Sequence, residues 1–224
     1  MRRLIILLVL IVFPLADALA GHPLGKHVVT IDASHGGSDP GVKISDNESE
    51  KNITLTIASL MKTELDKSGN VQAQLTRTSD RDVSLSERMQ IAKNSHSELF
   101  VGIHVNAGFS KNSSGFEIYF PGFKGAVSEQ GDSKEIIKDM ARNKYLNDSV
   151  KLAQLIQKNM DKVFPRKGRG LRDAAIPSIE GLSIPAVVVE IGFATNPEDR
   201  KKILDADTQA AIAHALCQSI KDFF

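Results

Sequence analysis

The run Pro185-Ala186-Val187-Val188-Val189-Glu190-Ile191-Gly192 decides the fold class. An apolar, largely β-branched stretch bounded by proline and glycine has the pattern of a strand buried on both faces in the middle of a sheet, where polar and apolar positions no longer alternate. Working outward, Val28–Ile31, Val71–Leu75, Leu99–Ile103 and Phe116–Phe120 are further strand-length runs. Helical spacing lies between them. Ile53, Ile57, Leu60, Met61 and Leu65 recur on one face and stop before Gly69, which suits a helix C-terminus. Ser84 with Glu87 three residues on predicts a capping box for a helix to about Ser95. Apolar spacing from Ile136 through Leu152, Leu155, Ile156 and Val163 predicts two helices broken near Asn147, and a last helix spans Asp207 to Phe223. The polar, glycine-containing stretch from Pro121 to about Asp132 reads as an exposed loop. Strands alternating with helices predict a single α/β domain built on a largely parallel sheet.

The first twenty residues differ from the rest. Arg2 and Arg3 precede an apolar run from Leu4 to Leu15, and Ala18-Leu19-Ala20 follows, which is the form of a secretory signal. The run is short for a membrane span and lacks a stop-transfer flank, which argues against a retained anchor. The expected division is a signal peptide at 1–20, a short segment at 21–26 and a folded domain at 27–224. Without Arg2, Arg3 and Asp17, the 28 basic and 27 acidic side chains become 26 and 26. A neutral domain offers no electrostatic footprint for nucleic acid or an anionic membrane. The local cluster Arg166, Lys167, Arg169 and Arg172 is compatible with a solvated surface. Cys217 is the only cysteine and lies in an apolar helical stretch, so no disulfide can form within the chain and burial is its expected role.

In open α/β sheets ligands collect beyond the carboxyl ends of strands. His35 falls there after the first strand, Glu50 at the start of the first helix, His104 and Asn106 at the end of the third strand, and Glu190 at the end of the most apolar strand. Two imidazoles and a carboxylate, with a fourth position open, make a catalytic zinc set. Each residue alone also has a plainer reading: a loop histidine, an acid favoured by a helix dipole, a satisfied core histidine. Glu190 stands out. A charge directly after Val187-Val188-Val189 needs compensation, either from an arginine such as Arg77 or Arg88 or from a metal site. There is no Gly-x-Ser-x-Gly elbow and no His-Glu-x-x-His helix to support other hydrolase classes.

With these residues in hand, the sequence resembles the zinc-dependent N-acetylmuramoyl-L-alanine amidases of the type-3 family over nearly the whole chain after the signal. Ile31 to Gly41 resembles the first histidine motif, Glu50-Lys51 the glutamate motif, Gly102 to Ala107 the second histidine motif and Val189 to Phe193 the catalytic glutamate motif. Leu75-Thr76-Arg77, Leu85 to Ala92, Ser114 to Glu117, Arg169-Gly170-Leu171 and Asn196-Pro197-Glu198 match less specifically. The resemblance implies a mainly parallel twisted sheet flanked by helices on both faces, one Zn2+ on His35, Glu50 and His104, and Glu190 as the catalytic carboxylate. Ala33-Ser34 stands where family members usually have Pro-Gly, which puts the backbone before His35 in question. Only Pro121 to Glu135 occupies the place where some members carry a helix that plugs the zinc site.

The activity implied is hydrolysis of the amide between N-acetylmuramic acid and L-alanine in peptidoglycan. Asp32 or Asn106 are the nearest groups in sequence to orient the histidines, and Asn106, Arg169 and Arg172 are expected substrate contacts. A zinc peptidase acting on another wall amide, and a wall-binding domain without turnover, remain alternatives. A monomer exported to the periplasm, or secreted, is expected, free of the membrane after signal cleavage. Dependence on an activator protein is left open.

Overall fold

A computed structural model of the chain describes residues 25–122, 133–165, 168–179 and 181–224. The expected signal peptide, most of the segment at 21–26 and most of the loop expected at 121–132 lie outside the described residues. Among those described, no helix is long and apolar enough to cross a membrane. The elements in order are β1 (His27–Ala33), α1 (Glu50–Ser68), β2 (Val71–Leu75), α2 (Leu85–Asn94), β3 (Leu99–Asn106), β4 (Phe116–Pro121), α3 (Ser133–Met160), β5 (Gly168–Ala174), β6 (Ala186–Phe193), α4 (Pro197–Leu204) and α5 (Ala206–Phe223).

One six-stranded sheet runs β2-β1-β3-β6-β4-β5. β1, β2, β3 and β6 are parallel, β4 runs antiparallel to β6, and β5 follows β4 in parallel. The apolar run that predicted a central strand is β6, paired on both sides. Alternate residues of its neighbours serve two cores. Val29, Ile31, Val101, Ile103, Val187 and Val189 pack with α1, α3 and α5, while Phe100, Ala186 and Val188 pack with Ala92 of α2 and residues of 176–184. The sheet is thus covered on both faces, thickly on one and thinly on the other.

Local chemistry explains where elements stop. α1 ends at Gly69, whose φ of 87° is the left-handed conformation that glycine takes at least cost. α2 is capped by Ser84, which accepts the Glu87 N–H at 3.2 Å, but the return bond of a capping box is not made because the Glu87 carboxylate pairs with Arg81 at 2.8 Å. The break expected near Asn147 is absent. α3 is one helix, since an interior asparagine costs only about 0.7 kcal/mol relative to alanine while Leu146, Leu152, Ala153 and Ile156 on the same helix are buried. Neither β5 nor α4 is evident as an element in the sequence. β5 is a polar edge strand with hardly a buried side chain. α4 is a short helix started by Asn196, which accepts the N–H groups of Glu198 and Asp199.

Arg88 of α2 donates to Asp32 of β1 at 2.5 Å, both side chains being nearly fully buried. Thr76 donates to the same carboxylate at 2.7 Å. Arg88→Leu is expected to cost about 3–5 kcal/mol, because it leaves Asp32 buried beside an empty place for its partner. Equilibrium urea unfolding measures this, and a loss below about 1 kcal/mol would contradict a buried pair. Cys217 is buried as expected, and burial first, then the nearby Glu64, pushes its thiol up to about 12.

Candidate active site

β1 delivers the chain into a tight turn at Ser34-His35-Gly36-Gly37, with His35 itself at a φ of 58°. Two arginines hold that turn by its carbonyls. Arg77 donates to Ala33 O at 2.9 Å and Ser34 O at 3.0 Å, and Arg88 donates to Ala33 O and His35 O at 2.8 Å each. The arginines considered as counterions for Glu190 are therefore engaged at the first strand. They fix the backbone that presents His35.

Glu50 opens α1, but dipole stabilisation at a solvent-exposed helix end does not describe it: its side chain is 1% exposed. Oε2 accepts the Val42 N–H at 2.9 Å, and Oε1 accepts the Val105 N–H at 2.8 Å and the Ser34 hydroxyl at 3.3 Å. Ser34, one of the two departures from the family pattern, thus binds Glu50 directly, which a glycine there could not do. Gly41 leaves the space that this needs. A Cβ at Gly41 would fall 2.6 Å from Glu50 Oε2 and 2.7 Å from His35 Cδ2, and its φ is 65°.

β3 brings His104 to the same carboxylate. His35 Nε2 and His104 Nδ1 each lie 3.2 Å from Glu50 Oε1, and the three donor atoms are all within 4.8 Å of one another. Burial alone would raise the Glu50 pKa, but hydrogen bonds from His104 and His35, with the positive charge of His104 and the Val42 N–H, hold it well below the carboxylate range. Its hydrogen bond to Glu50 lifts His35 to about 9 against the opposing effect of burial, with Asp39 adding to the rise.

Asp39 is the group that orients His35. Its Oδ2 lies 2.7 Å from His35 Nδ1, and its Oδ1 accepts the Gly41 N–H at 3.0 Å. With Nδ1 donating to Asp39, Nε2 is left to bind a cation. Asp32 and Asn106, expected from sequence for this task, are used elsewhere: Asp32 by Arg88 and Thr76, and Asn106 by Glu117, to which it donates at 3.0 Å. Asp39 lies within the first histidine motif, four residues after His35, and that spacing is the signal that could have found it. Asp39→Ala is expected to weaken metal affinity by about 10–100-fold, as measured by competition with a chromophoric chelator. Unchanged affinity would mean that Asp39 only caps the turn.

Glu190 lies one strand from His104, directly opposite it in the β3–β6 register, and opposite Glu117 on the other side. Its Oε2 is buried with no hydrogen-bond partner among the described residues. Burial raises its pKa to about 7, the neighbouring His104 working against the rise and the carboxylates of Glu50 and Glu117 adding to it. Glu117 is the other buried carboxylate beside the site that sequence reasoning did not single out. It gathers Asn106, Tyr119, Arg169 and Arg172 around its two oxygens, so the three expected substrate contacts share this one partner at the rim of the site.

A sequence model of the family described as N-acetylmuramoyl-L-alanine amidase, the type-3 group, matches residues 29–222. The chain belongs to the type-3 N-acetylmuramoyl-L-alanine amidase family. It is 26% identical over 219 residues to the amidase AmiC of Escherichia coli, covering 88% of this chain and 52% of AmiC. The chain therefore spans about half of that relative. Among solved structures, an N-acetylmuramoyl-L-alanine amidase of Clostridium difficile is 27% identical and superposes with a TM-score of 0.73, covering 89% of this chain and 97% of that one. The CwlD amidase of Clostridioides difficile, solved in complex with the GerS lipoprotein, is 26% identical with a TM-score of 0.72, covering 88% of this chain and 98% of CwlD. The α/β domain with its mostly parallel sheet is the catalytic-domain fold of these amidases.

Proposed function

We propose that the chain is a zinc-dependent amidase that hydrolyses the bond between N-acetylmuramic acid and L-alanine in peptidoglycan, with His35, Glu50 and His104 as ligands of one zinc and Glu190 as its acid/base. The observation that carries this reading is the buried Glu190 Oε2, without a hydrogen-bond partner among the described residues, one strand away from a convergent set of two imidazoles and a carboxylate. The donor set suits zinc, which takes nitrogen and oxygen ligands and keeps an open position when catalytic. It also relieves a frustrated site: a cation would satisfy donor atoms that now crowd one carboxylate oxygen and would offset the charge on Glu190.

Bound zinc supplies Lewis acidity for the amide carbonyl and for water. Glu190 does the proton work. Its carboxylate takes the proton of the attacking water at Oε2 and gives it to the departing L-alanine nitrogen. Asp39 keeps His35 in place, and the buried Arg77 and Arg88 keep the turn before it from yielding.

The test is to load the purified protein with zinc, measure metal content, and incubate it with peptidoglycan while identifying the new amino terminus. One metal per chain and release of peptides that begin with L-alanine are expected. Peptides with any other amino terminus, as from a zinc peptidase, would overturn the amidase reading. Wall binding without release would support the non-catalytic alternative. The signal pattern at 1–20 supports export, to the periplasm or by secretion, and recovery of the processed chain in the periplasmic or the culture fraction distinguishes the two. That CwlD is solved in complex with the GerS lipoprotein supports a protein partner for this chain as well, which acts as a monomer in this reading.

A further inference from the structure

Arg169 and Arg172 are three residues apart on β5, so in a regular strand their side chains would point to opposite faces of the sheet. They do not. Phe116 of β4 pairs with Gly168, but Ile118 pairs with Leu171, so Arg169 and Gly170 together stand opposite Glu117 alone. This is a bulge, and Gly170 takes the left-handed φ of 92° in it. The extra residue turns both guanidinium groups toward one carboxylate oxygen: Arg169 Nε lies 2.8 Å and Arg172 Nη2 3.2 Å from Glu117 Oε1.

Glu117 is a buried base for the pair, its side chain only 6% exposed. Its other oxygen accepts from Asn106 Nδ2 at 3.0 Å and the Tyr119 hydroxyl at 2.8 Å, so the carboxylate is saturated. Arg169 is further steadied over the Phe193 ring at 5.2 Å. A single arginine would neutralise Glu117, and the second leaves one positive charge in excess. Each guanidinium has five N–H donors, and both side chains are more than a third exposed, so donors remain for a ligand. Charges on an edge strand also discourage pairing with other chains. That role would explain the exposed arginines, but not a bulge that converges them on a buried acid.

We propose that Arg169 and Arg172, converged by the bulge at Gly170 and braced by Glu117, form a carboxylate-binding subsite for the peptide side of the scissile amide. The inference rests on the amidase reading above and deepens it. β5 is two strands from β6, about 10 Å at the usual strand spacing, and an extended peptide covers that distance in about three residues. The subsite therefore reads an acidic group within the first two or three residues after the cut, and makes the enzyme prefer a free carboxylate there over a carboxamide.

Two soluble substrates test this: N-acetylmuramoyl-L-alanyl-glutamate with its carboxylate free, and the same compound as the carboxamide. The zinc-loaded protein is expected to favour the free acid by about tenfold in kcat/KM, carried by KM, as charge-assisted hydrogen bonds of ordinary strength would give. Arg172→Gln and Arg169→Gln should each erase most of that preference, read as the ratio of kcat/KM for the two substrates. Arg172→Lys should keep part of it, and Gly170→Val, which strains the bulge, should reduce it although both arginines remain. Equal kcat/KM for the two substrates, or variants that slow both equally, would overturn the subsite. Calorimetry with the dipeptides alanyl-glutamate and alanyl-glutamine separates the two claims. Carboxylate-selective binding that the arginine variants lose, in a protein that cleaves neither substrate, would uphold the subsite and sink the amidase reading. Absence of selective binding would sink the subsite whatever the activity.

Discussion

Glu190→Gln is expected to cut peptidoglycan hydrolysis by about 10²–10⁴-fold, the usual contribution of a general acid/base, while leaving zinc content unchanged. The same substitution should stabilise the metal-free protein at pH 8. Folding raises this carboxyl from the ordinary 4.5 to about 7, so the folded chain holds the proton to a higher pH than the unfolded chain does. Stability is therefore drawn down as pH rises from about 4.5 to about 7, and stays down above that. Glutamine removes the penalty, for a gain of order 3 kcal/mol at most by linkage. Urea unfolding of the chelated proteins at pH 4 and pH 8 measures it. The gain should appear at pH 8 and vanish at pH 4. A variant that keeps turnover removes Glu190 from its role, and a gain over the parent that is the same at pH 4 and pH 8 contradicts the buried charge.

Glu50→Gln should do the opposite. Here a buried carboxylate is surrounded by donors: Val42 N–H on one oxygen, Val105 N–H and Ser34 Oγ on the other, and two imidazole nitrogens 3.2 Å away. An amide turns one acceptor into a donor and sets it against an N–H or an imidazole. The expected loss is about 3–5 kcal/mol in the metal-free protein, the cost of breaking a buried charged contact, together with at least a hundredfold loss of zinc affinity, since a direct ligand should matter at least as much as the outer-shell groups that cost 10–100-fold. The folded-state pKa of Glu50 is depressed, so this stability is present above the unfolded value and is lost as pH falls through the folded one. The two variants should accordingly converge in acid and separate at neutral pH. A Glu50→Gln protein that binds zinc as tightly as the parent would exclude Glu50 from the ligand set. Two glutamates of one site are thus expected to have opposite effects on the fold, because one is surrounded by hydrogen-bond donors and the other leaves a buried oxygen with none among the described residues.

Much of this was legible in the order of residues. Val187-Val188-Val189 announces a central strand because a strand covered on both faces has no use for alternation. His35, His104 and Glu190 announce a site because polar residues directly after buried strands have no cheap reason to be there. Glu50 was less legible, since an acid in a first helical turn is ordinary. Only its burial against β3, whose Val105 N–H it accepts from 55 residues away, sets it apart. Asp39 could be reached by local spacing alone, whereas Arg77 and Arg88 bind carbonyls 43 to 55 residues distant, and no local pattern records that.

The sequence by itself determined the fold class and the strand ends at which His35, His104 and Glu190 stand, because burial periodicity and the cost of isolated polar groups act along the chain. Tertiary structure alone decided which arginines compensate which carboxylates, that Glu190 Oε2 has no partner among the described residues, and that Arg169 and Arg172 meet on Glu117. Those outcomes depend on the register between strands, where an antiparallel β4 sets Glu117 opposite Glu190 and one extra residue at Gly170 changes the face a side chain takes.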